Sequence, residues 1–475
     1  MLMKHRIAQL VADAVEEAQR QGSLPSGPIP DIEVEHPQNP EHGDFAVSLP
    51  LKLARAARMA PLAIADRLVS LLPPEEAIEQ VRIASPGFIN FEMKQDWLHA
   101  QLTKIIEDGE GYGGLQSQNP LRVQIEFVSV NPTGPLHVGH ARGAVLGSGL
   151  ARILEAAGHQ VSREYYINDA GTQIEVFNRS LYVRYAQALG REVAMPSDGY
   201  LGDYMNQLAK EVIAENGQRF LEMPEADATK AVGEIGLNKM LAAIGEDLET
   251  IDVSFDVWFS ERSLYQDQFY DHTIEQLRDS GYLTEREGAL WFISTLLGEE
   301  KDNVIVRGTG EPTYFATDIA YHRNKFVKRQ FDRVINVWGA DHLGHVSRLK
   351  AAMEALAVDP NRLTVIISQL VTLKRGDEAV RASKRKGDIV TLRELVDEVG
   401  PDACRFFFLS RSPESQMEFD LDLAVQDSSD NPVFYVQYAH ARTAGILRLA
   451  KERGLAVRDG NISLLNHEAE KALIK

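Results

Sequence analysis

The chain has 475 residues, 44% of them hydrophobic and 25% charged, a globular composition long enough for two to four domains. A net charge of −19 argues against binding nucleic acid through overall basicity, although phosphate affinity depends on local charge and leaves room for a basic groove. The single cysteine, Cys404, excludes an intrachain disulfide and a multi-cysteine zinc site, which fits a reducing, cytoplasmic setting.

Ile7, Leu10, Val11, Ala14, Val15 and Ala18 lie at helical spacing among charged residues, so residues 1–21 read as an amphipathic helix and not as a signal peptide. No later run is long enough to span a bilayer. After a break at residues 22–30 come a strand at Ile32–Glu35, a turn at Pro37–Gly43, further helices, and a strand pair around Val81–Glu92. The stretch Gly109–Pro120 is dense in Gly, Asn and Ser and predicts the end of an α+β domain covering residues 1–115.

The run Val123–Val130 reads as a buried strand, followed by the loop Asn131-Pro132-Thr133-Gly134-Pro135 and a helix with Thr133 as cap and Pro135 in its first position. His137-Val138-Gly139-His140 then puts two imidazoles on one face of a helix start, beside unsatisfied N–H groups that suit nucleotide phosphates. Gly139 lets an adenine approach the backbone. Four-residue matches of this kind are common; the strand–loop–helix context gives this one its weight. Gly143, Gly147 and Gly149 are expected to allow close approach to a sheet, and Gly158 to end the helix. The G-x-x-x-x-G-K-[ST] pattern is missing, which disfavours a P-loop NTPase.

Strands alternating with helices over residues 116–395 predict an α/β domain with a parallel sheet, carrying a polar helical insertion at about 172–247. Strand-like runs recur at Ala289–Ser294, Val304–Arg307, Val334–Val337 and Thr364–Ser368. The basic run His322–Arg333 reads as a solvated surface. In Arg381-Ala382-Ser383-Lys384-Arg385-Lys386-Gly387 a lysine can reach the β/γ-phosphates and offset charge on departing pyrophosphate, although a solvent-exposed turn explains the same residues. Residues 396–430 read as a connecting stem, and a helix begins at Asn431.

The two motifs together resemble the HIGH and KMSKS signatures of class I aminoacyl-tRNA synthetases. Arg381 and Ala382 replace the first lysine and the methionine of the second, which leaves Lys384 as its key residue. The surrounding segments are similar to those of arginyl-tRNA synthetases: Glu126 to His137, Tyr166-Ile167-Asn168-Asp169-Ala170-Gly171, Tyr314 to Tyr321, and Gly339-Ala340-Asp341-His342. In the N-terminal domain, Gly43-Asp44-Phe45-Ala46 and Pro86-Gly87-Phe88-Ile89-Asn90-Phe91 extend the resemblance.

The resemblance implies a Rossmann-like parallel-sheet catalytic domain, an α+β N-terminal domain that binds tRNA, and the start of an all-helical anticodon-binding domain at 431–475. It implies that Glu126, Tyr314 and Asp318 hold a guanidinium, a flat fork of donors suited to carboxylates and a phenol oxygen. Ser129, Asn131 and His342 would hold the α-amino and carboxylate end, His342 standing where relatives often have glutamine. Apart from the family, Glu126 reads as a satisfied core carboxylate and Asp318 as a helix cap. His137, Gly139, His140, Gly339, Asp341 and Lys384 are expected on ATP, with His137, His140 and Lys384 catalytic. Leu370 and Val371 are expected to end a strand and offer backbone groups to adenine. Phe88 and Asn90 resemble tRNA D-loop contacts, with a core phenylalanine as the rival reading.

The substrates implied are L-arginine, tRNA(Arg) and ATP with Mg²⁺. His342-x-x-His345 has ligand spacing but no evident third partner, so no tightly bound metal is expected. A cytoplasmic monomer without membrane attachment is expected. The alternatives are a non-catalytic tRNA-binding paralogue or an inactive fragment of the family. A helical anticodon-binding domain needs on the order of a hundred residues. Only 45 follow Asp430, so the sequence reads as C-terminally truncated. Its last segment is expected to be poorly ordered or laid against the catalytic domain.

Overall fold

The computed structural model describes residues 2–115, 117, 119–380, 390–455 and 460–474, in two compact units: residues 1–113 with 446–475, and residues 114–445. Among the described residues no helix is long and apolar enough to cross a membrane.

In the first unit the helix Met3–Arg20 buries the stripe that its spacing predicts. It shares a core with an antiparallel sheet in the order Val34–Glu35, Phe45–Val47, Phe88–Met93, Ile78–Ala84. Along Phe88–Met93 the pleat sends Ile89, Phe91 and Met93 into the core, and Phe88 with Asn90 to the opposite face. Gly43 has φ +88°, and a Cβ there would sit 2.7 Å from the Phe91 carbonyl oxygen. Only glycine fits before Asp44, whose carboxylate accepts the Met93 N–H at 2.7 Å.

The short helices Ile462–Leu464 and Glu468–Ile474 pack on the N-terminal unit's helix Gln95–Asp108, where His99 Nε2 meets the Leu465 carbonyl at 3.3 Å. The expectation that the helix from Asn431 is poorly ordered or lies against the catalytic domain holds in its second form for the start of that helix, where Val433 joins the second unit's core, and fails for the chain from 446 onward, which belongs to the first unit. The reason is local: Gln95 and His99 offer polar partners to Asn466 and Leu465.

The second unit is built on five parallel strands: β1 (Arg122–Glu126), β2 (Gln160–Ile167), β3 (Val257–Ser260), β4 (Arg333–Gly339) and β5 (Leu363–Ser368). Their order is β5–β4–β1–β2–β3, the doubly wound arrangement that the sequence predicts. Strand order reverses between β1 and β4, so a crevice opens at the carboxyl ends of that pair. Three helices between β2 and β3 (Thr172–Ala188, Asp203–Asn216, Glu225–Glu249) carry a core of their own around Phe177, Leu181, Met205 and Phe220.

Three helices flank the crevice: α1 (Val138–Ala156), α2 (Tyr314–Arg323) and α3 (Val346–Ala355). Gly147 of α1 permits close packing, because a Cβ there would fall 2.2 Å from the Phe127 ring; Gly143 and Gly149 meet only ordinary contacts. The run after α2 departs from expectation. A π-helical turn, Asn324–Lys328, carries Asn324 and Lys325 inward with His322, so part of the run read as a solvated surface is buried, while Lys328, Asp332 and Arg333 stay exposed as expected. Further on, Asn431 Oδ1 accepts the Val433 N–H at 3.0 Å and opens the helix Pro432–Glu452. That helix buries Val433 and leaves Val436, Ile446 and Leu447 exposed.

Candidate active site

A cavity of about 710 Å³ lies at the β1/β4 reversal. It is lined by nine of the residues singled out from sequence: Glu126, Ser129, Asn131, His140, Tyr314, Asp318, Gly339, Asp341 and His342. Strand β1 stops at Glu126, short of the Val130 expected, because Val128 and Ser129 turn to φ +66° and +44°. A β-branched residue there is strained, and the turn brings Ser129 and Asn131 to the cavity wall. Ser129 Oγ accepts the Tyr166 N–H at 3.1 Å, and Asn131 bonds to Gln173. The loop behind is pinned by Tyr165 and Tyr204 hydroxyls donating to the Val130 and Thr133 carbonyls at 2.8 and 2.7 Å. At the end of β2, Asp169 accepts from Ser260 Oγ at 2.6 Å and from Arg262 N–H at 3.1 Å, which ties β2 to β3.

Helix α1 starts at Val138, not Pro135, and its cap is His137, not Thr133. His137 Nδ1 accepts the Gly139 N–H at 3.1 Å, and His140 Nδ1 faces the His137 N–H at 3.5 Å. With both Nδ1 atoms accepting, each ring carries its proton on Nε2. The ring centroids lie 3.5 Å apart with the planes tilted by 32°, and burial followed by the neighbouring His137 holds the His140 imidazole down to about 3. Burial also lowers His137. The pair is therefore neutral at physiological pH, with its Nε2–H groups available as donors at the helix start. One turn on, the buried Arg142 donates to the carbonyls of Ser412, Ser415 and Gln369 at 2.7, 2.8 and 3.2 Å.

The opposite end of the cavity is a buried polar network. Glu126 Oε2 accepts from Lys325 Nζ at 2.6 Å, and the same ammonium donates to Asn336 Oδ1 at 3.1 Å. Asn336 Nδ2 donates to His322 Nε2 at 2.7 Å, and His322 Nδ1–H donates to the Asp318 carbonyl at 2.8 Å. Burial, then Lys325, hold His322 far below the usual histidine range, which fixes it as a neutral link. The Asp318 carboxylate accepts from His345 Nε2 at 2.7 Å, and His345 Nδ1 accepts from Arg348 Nε at 2.6 Å. Glu126 and Asp318 are thus the two ends of one hydrogen-bonded chain.

Tyr166 projects between them, held well above the usual tyrosine range by burial and then by Glu261, Asp318 and Glu126. Beneath it, burial and then Asp318 push the Glu261 carboxyl up to about 7. Glu164 is fully buried, bound by Arg329 and by the Tyr321 hydroxyl at 2.5 Å.

Other predicted residues fall elsewhere. His137 and Gly139 sit at the helix start outside the cavity lining. Leu370 and Val371 do not end β5, which stops at Ser368; Val371 begins the next strand, and the Leu370 carbonyl accepts the Met417 N–H at 3.2 Å. His342 and His345 diverge, His342 lying 3.5 Å from Asp341 while His345 serves Asp318. Among the described residues no cluster could hold a metal ion. Arg381, Ala382 and Lys384 lie outside the described residues, but the chain after them reaches the helix start: Val138 N–H donates to the Val390 carbonyl at 3.1 Å, and Thr391 pairs with His137. Phe88 and Asn90 belong to the first unit, Phe88 half-buried and outside its core cluster.

Sequence reasoning missed His322, Lys325, Asn336, His345 and Arg348. The one available signal was polar residues recurring at i, i+3 and i+4 in and after the Tyr314–Tyr321 segment.

Two family models match the chain: the catalytic domain of class I (R) tRNA synthetases over residues 101–425, and the arginyl-tRNA synthetase N-terminal domain over residues 5–93. The chain belongs to the arginyl-tRNA synthetase family. It is 52% identical to an arginine–tRNA ligase of Dehalococcoides mccartyi, over 100% of this chain and 85% of that one. It is 49% identical to the arginine–tRNA ligase of Caldanaerobacter subterraneus, over 99% and 85%. The arginyl-tRNA synthetase of Thermus thermophilus shares the fold with a TM-score of 0.76 at 22% identity, covering 100% of this chain and 85% of that one. The two models together cover residues 5–93 and 101–425, so both units carry sequence of class I aminoacyl-tRNA synthetases, with ATP as a family substrate.

Proposed function

We propose that this chain activates L-arginine with ATP to arginyl-adenylate and transfers arginine to the 3′ end of tRNA(Arg), releasing AMP and diphosphate. The observation that carries the site assignment is the cavity at the strand reversal, with Asp318 and Glu126 at one end and the His140 helix start with Gly339 and Asp341 at the other. A guanidinium needs fixed acceptors, and Asp318, Glu126 and Tyr314 supply them. Ser129, Asn131 and His342 take the α-amino and carboxylate groups. Gly339 gives the ribose close approach, and the Asp341 carboxylate accepts from its hydroxyls. Gly139 lies under the adenine.

The first step is in-line attack of the arginine carboxylate on the α-phosphate, and it needs no protein nucleophile. Catalysis is positioning together with stabilisation of charge on the triphosphate. The His137 and His140 Nε2–H groups and Lys384 supply that stabilisation. Mg²⁺ enters as part of the substrate, carried by ATP. Phe88, half-buried, and Asn90, 5% exposed, share the strand face opposite the core, and we assign the tRNA contact to that face. We place this activity in the cytoplasm, in a monomer.

The test is ATP–pyrophosphate exchange with each amino acid, with and without tRNA(Arg). Exchange with arginine alone among the amino acids is expected. Equal exchange with lysine or glutamine would overturn the pocket assignment, and sedimentation at twice the monomer mass would overturn the monomer.

A further inference from the structure

We infer that Lys325 is a specificity-determining positioning residue: its ammonium takes the charge of Glu126, so that Glu126 meets the substrate as an acceptor and Asp318 alone acts as the counter-ion. The inference rests on the arginine reading of the cavity and assigns within it a residue that motif and resemblance both passed over.

The Lys325 side chain is fully buried, and Glu126 is 7% exposed. An ammonium has three donors, and three partners surround this one: Glu126 Oε2 at 2.6 Å, Asn336 Oδ1 at 3.1 Å, and the Tyr321 ring face at 4.2 Å. A buried ion pair with every donor satisfied is the arrangement in which both charges persist. Glu126 also lines the cavity, so a ligand meets a carboxylate whose charge is already balanced from behind.

The remaining charges around this pair are also accounted for. Glu164 and Arg329 neutralise each other through two hydrogen bonds. His322 is neutral, held between Asn336 and the Asp318 carbonyl. Among the described residues, the side-chain hydrogen bond of the Asp318 carboxylate is to the His345 ring, whose Nδ1 accepts from Arg348 and so carries no proton. Arg348 stands behind that ring and lies over Phe315 at 4.9 Å. Glu261 lies below, behind Tyr166. With Lys325 in place, Asp318 is, among the described carboxylates lining the amino-acid end, the one left without a direct lysine or arginine partner, while Arg348, which also lines the cavity, reaches it through His345. Without it, two carboxylates would confront a singly charged ligand.

The decisive measurement compares arginine with citrulline, its uncharged isostere, by equilibrium dialysis against the full chain and two variants. Glu126→Gln leaves a buried ammonium without its carboxylate, directed at the site. The preference for arginine over citrulline should fall ~30-fold or more. Glu126→Gln with Lys325→Met removes the whole pair, and the preference should return to within ~5-fold of the unaltered chain. If Glu126 instead supplied charge directly to the guanidinium, the double variant would stay as poor as Glu126→Gln, which would overturn the inference. A double variant that melts below Glu126→Gln and binds neither ligand, with Lys325→Gln in place of Met giving the same, would also overturn it, since the pair would then serve the fold and not the charge. Failure of the unaltered chain to prefer arginine would strike the arginine reading itself, and is distinguishable from either result.

Discussion

At the amino-acid end of the cavity Glu126, His322, Lys325 and Asn336 are buried and joined by hydrogen bonds, whereas at the nucleotide end Gly139 and Gly339 are exposed and the Asp341 side chain is 81% exposed. The difference follows from what each end must do. Telling a guanidinium from other side chains requires acceptors that cannot move or rehydrate, and a buried network with every member satisfied provides that rigidity. Phosphates need donors whose effect grows as charge develops, and room to let pyrophosphate leave. The first end is built by tertiary packing of three separate segments; the second consists of a helix start, a strand end and a loop.

Breaking the nucleotide end should produce the largest effect on rate. Lys384→Ala is expected to slow adenylate formation by ~10²–10³-fold, the scale of losing one preorganised donor to developing charge. Arginine affinity should change little. Single-turnover kinetics would separate the two, and normal adenylate formation in the variant would move the role to Arg381, Arg385 or Lys386.

Breaking the amino-acid end should act on binding instead. Asp318→Asn keeps the shape of the pocket and removes the charge facing the guanidinium. Arginine binding should weaken by ~2–5 kcal/mol with ATP affinity nearly unchanged, the cost of removing one partner of a buried charge pair. An unmoved arginine KM in pyrophosphate exchange would make Asp318 a structural acid.

The two ends were also unequally legible in the sequence. Residues 126–140 and 339–342 are contiguous; the strand–loop–helix pattern, local in sequence, singled out His140 directly, the resemblance supplied Glu126, Ser129, Gly339 and Asp341, and all five line the cavity. The doubly wound sheet was legible for the same reason, through alternating strand and helix periods. Lys325 was not. In the sequence it sits in a basic run, and only the π-helical turn after α2 sends it inward to meet Glu126, 199 residues away. In the sequence His345 has ligand spacing with His342 and no assigned role; its partner, Asp318, comes from a different helix. The cap of α1 was misread because Thr133 is a good capping type, yet the loop continues to His137, whose ring does that work.

A smaller effect sharpens the comparison by testing how the network holds its charge. His345→Leu removes the donor to Asp318 from the cavity wall, and the arginine KM should rise ~10-fold with kcat little changed, the scale of one hydrogen bond to a charged group. His345→Gln can still donate to Asp318 and accept from Arg348, and should recover to within ~3-fold. Equal losses in the two variants would mean that ring packing against Phe315 and Trp338, not the hydrogen bond, is what His345 supplies.

The smallest effect concerns the neutral histidines of the nucleotide end. The His140 imidazole is held at about 3 in the folded chain against an ordinary value of 6.5. Above pH 6.5 both folded and unfolded chains are neutral at this ring, and it contributes nothing to pH dependence. Below pH 6.5 the unfolded chain takes up a proton that the folded chain refuses until about 3, so stability falls as the pH drops through that window. The slope for one proton is at most about 1.4 kcal/mol per pH unit. Because the ring keeps some contact with solvent, we expect ~0.5–1 kcal/mol between pH 6.5 and 5.5. His322, also held low, has the same sign and is present in both proteins compared. Urea unfolding of the parent and of His140→Asn at those two pH values should show the parent losing more stability by that amount. Parallel losses would mean that the folded chain protonates His140 as readily as the unfolded one. The ring would then be a cation beside the phosphates, and the nucleotide end would bind through charge rather than through preorganised N–H donors.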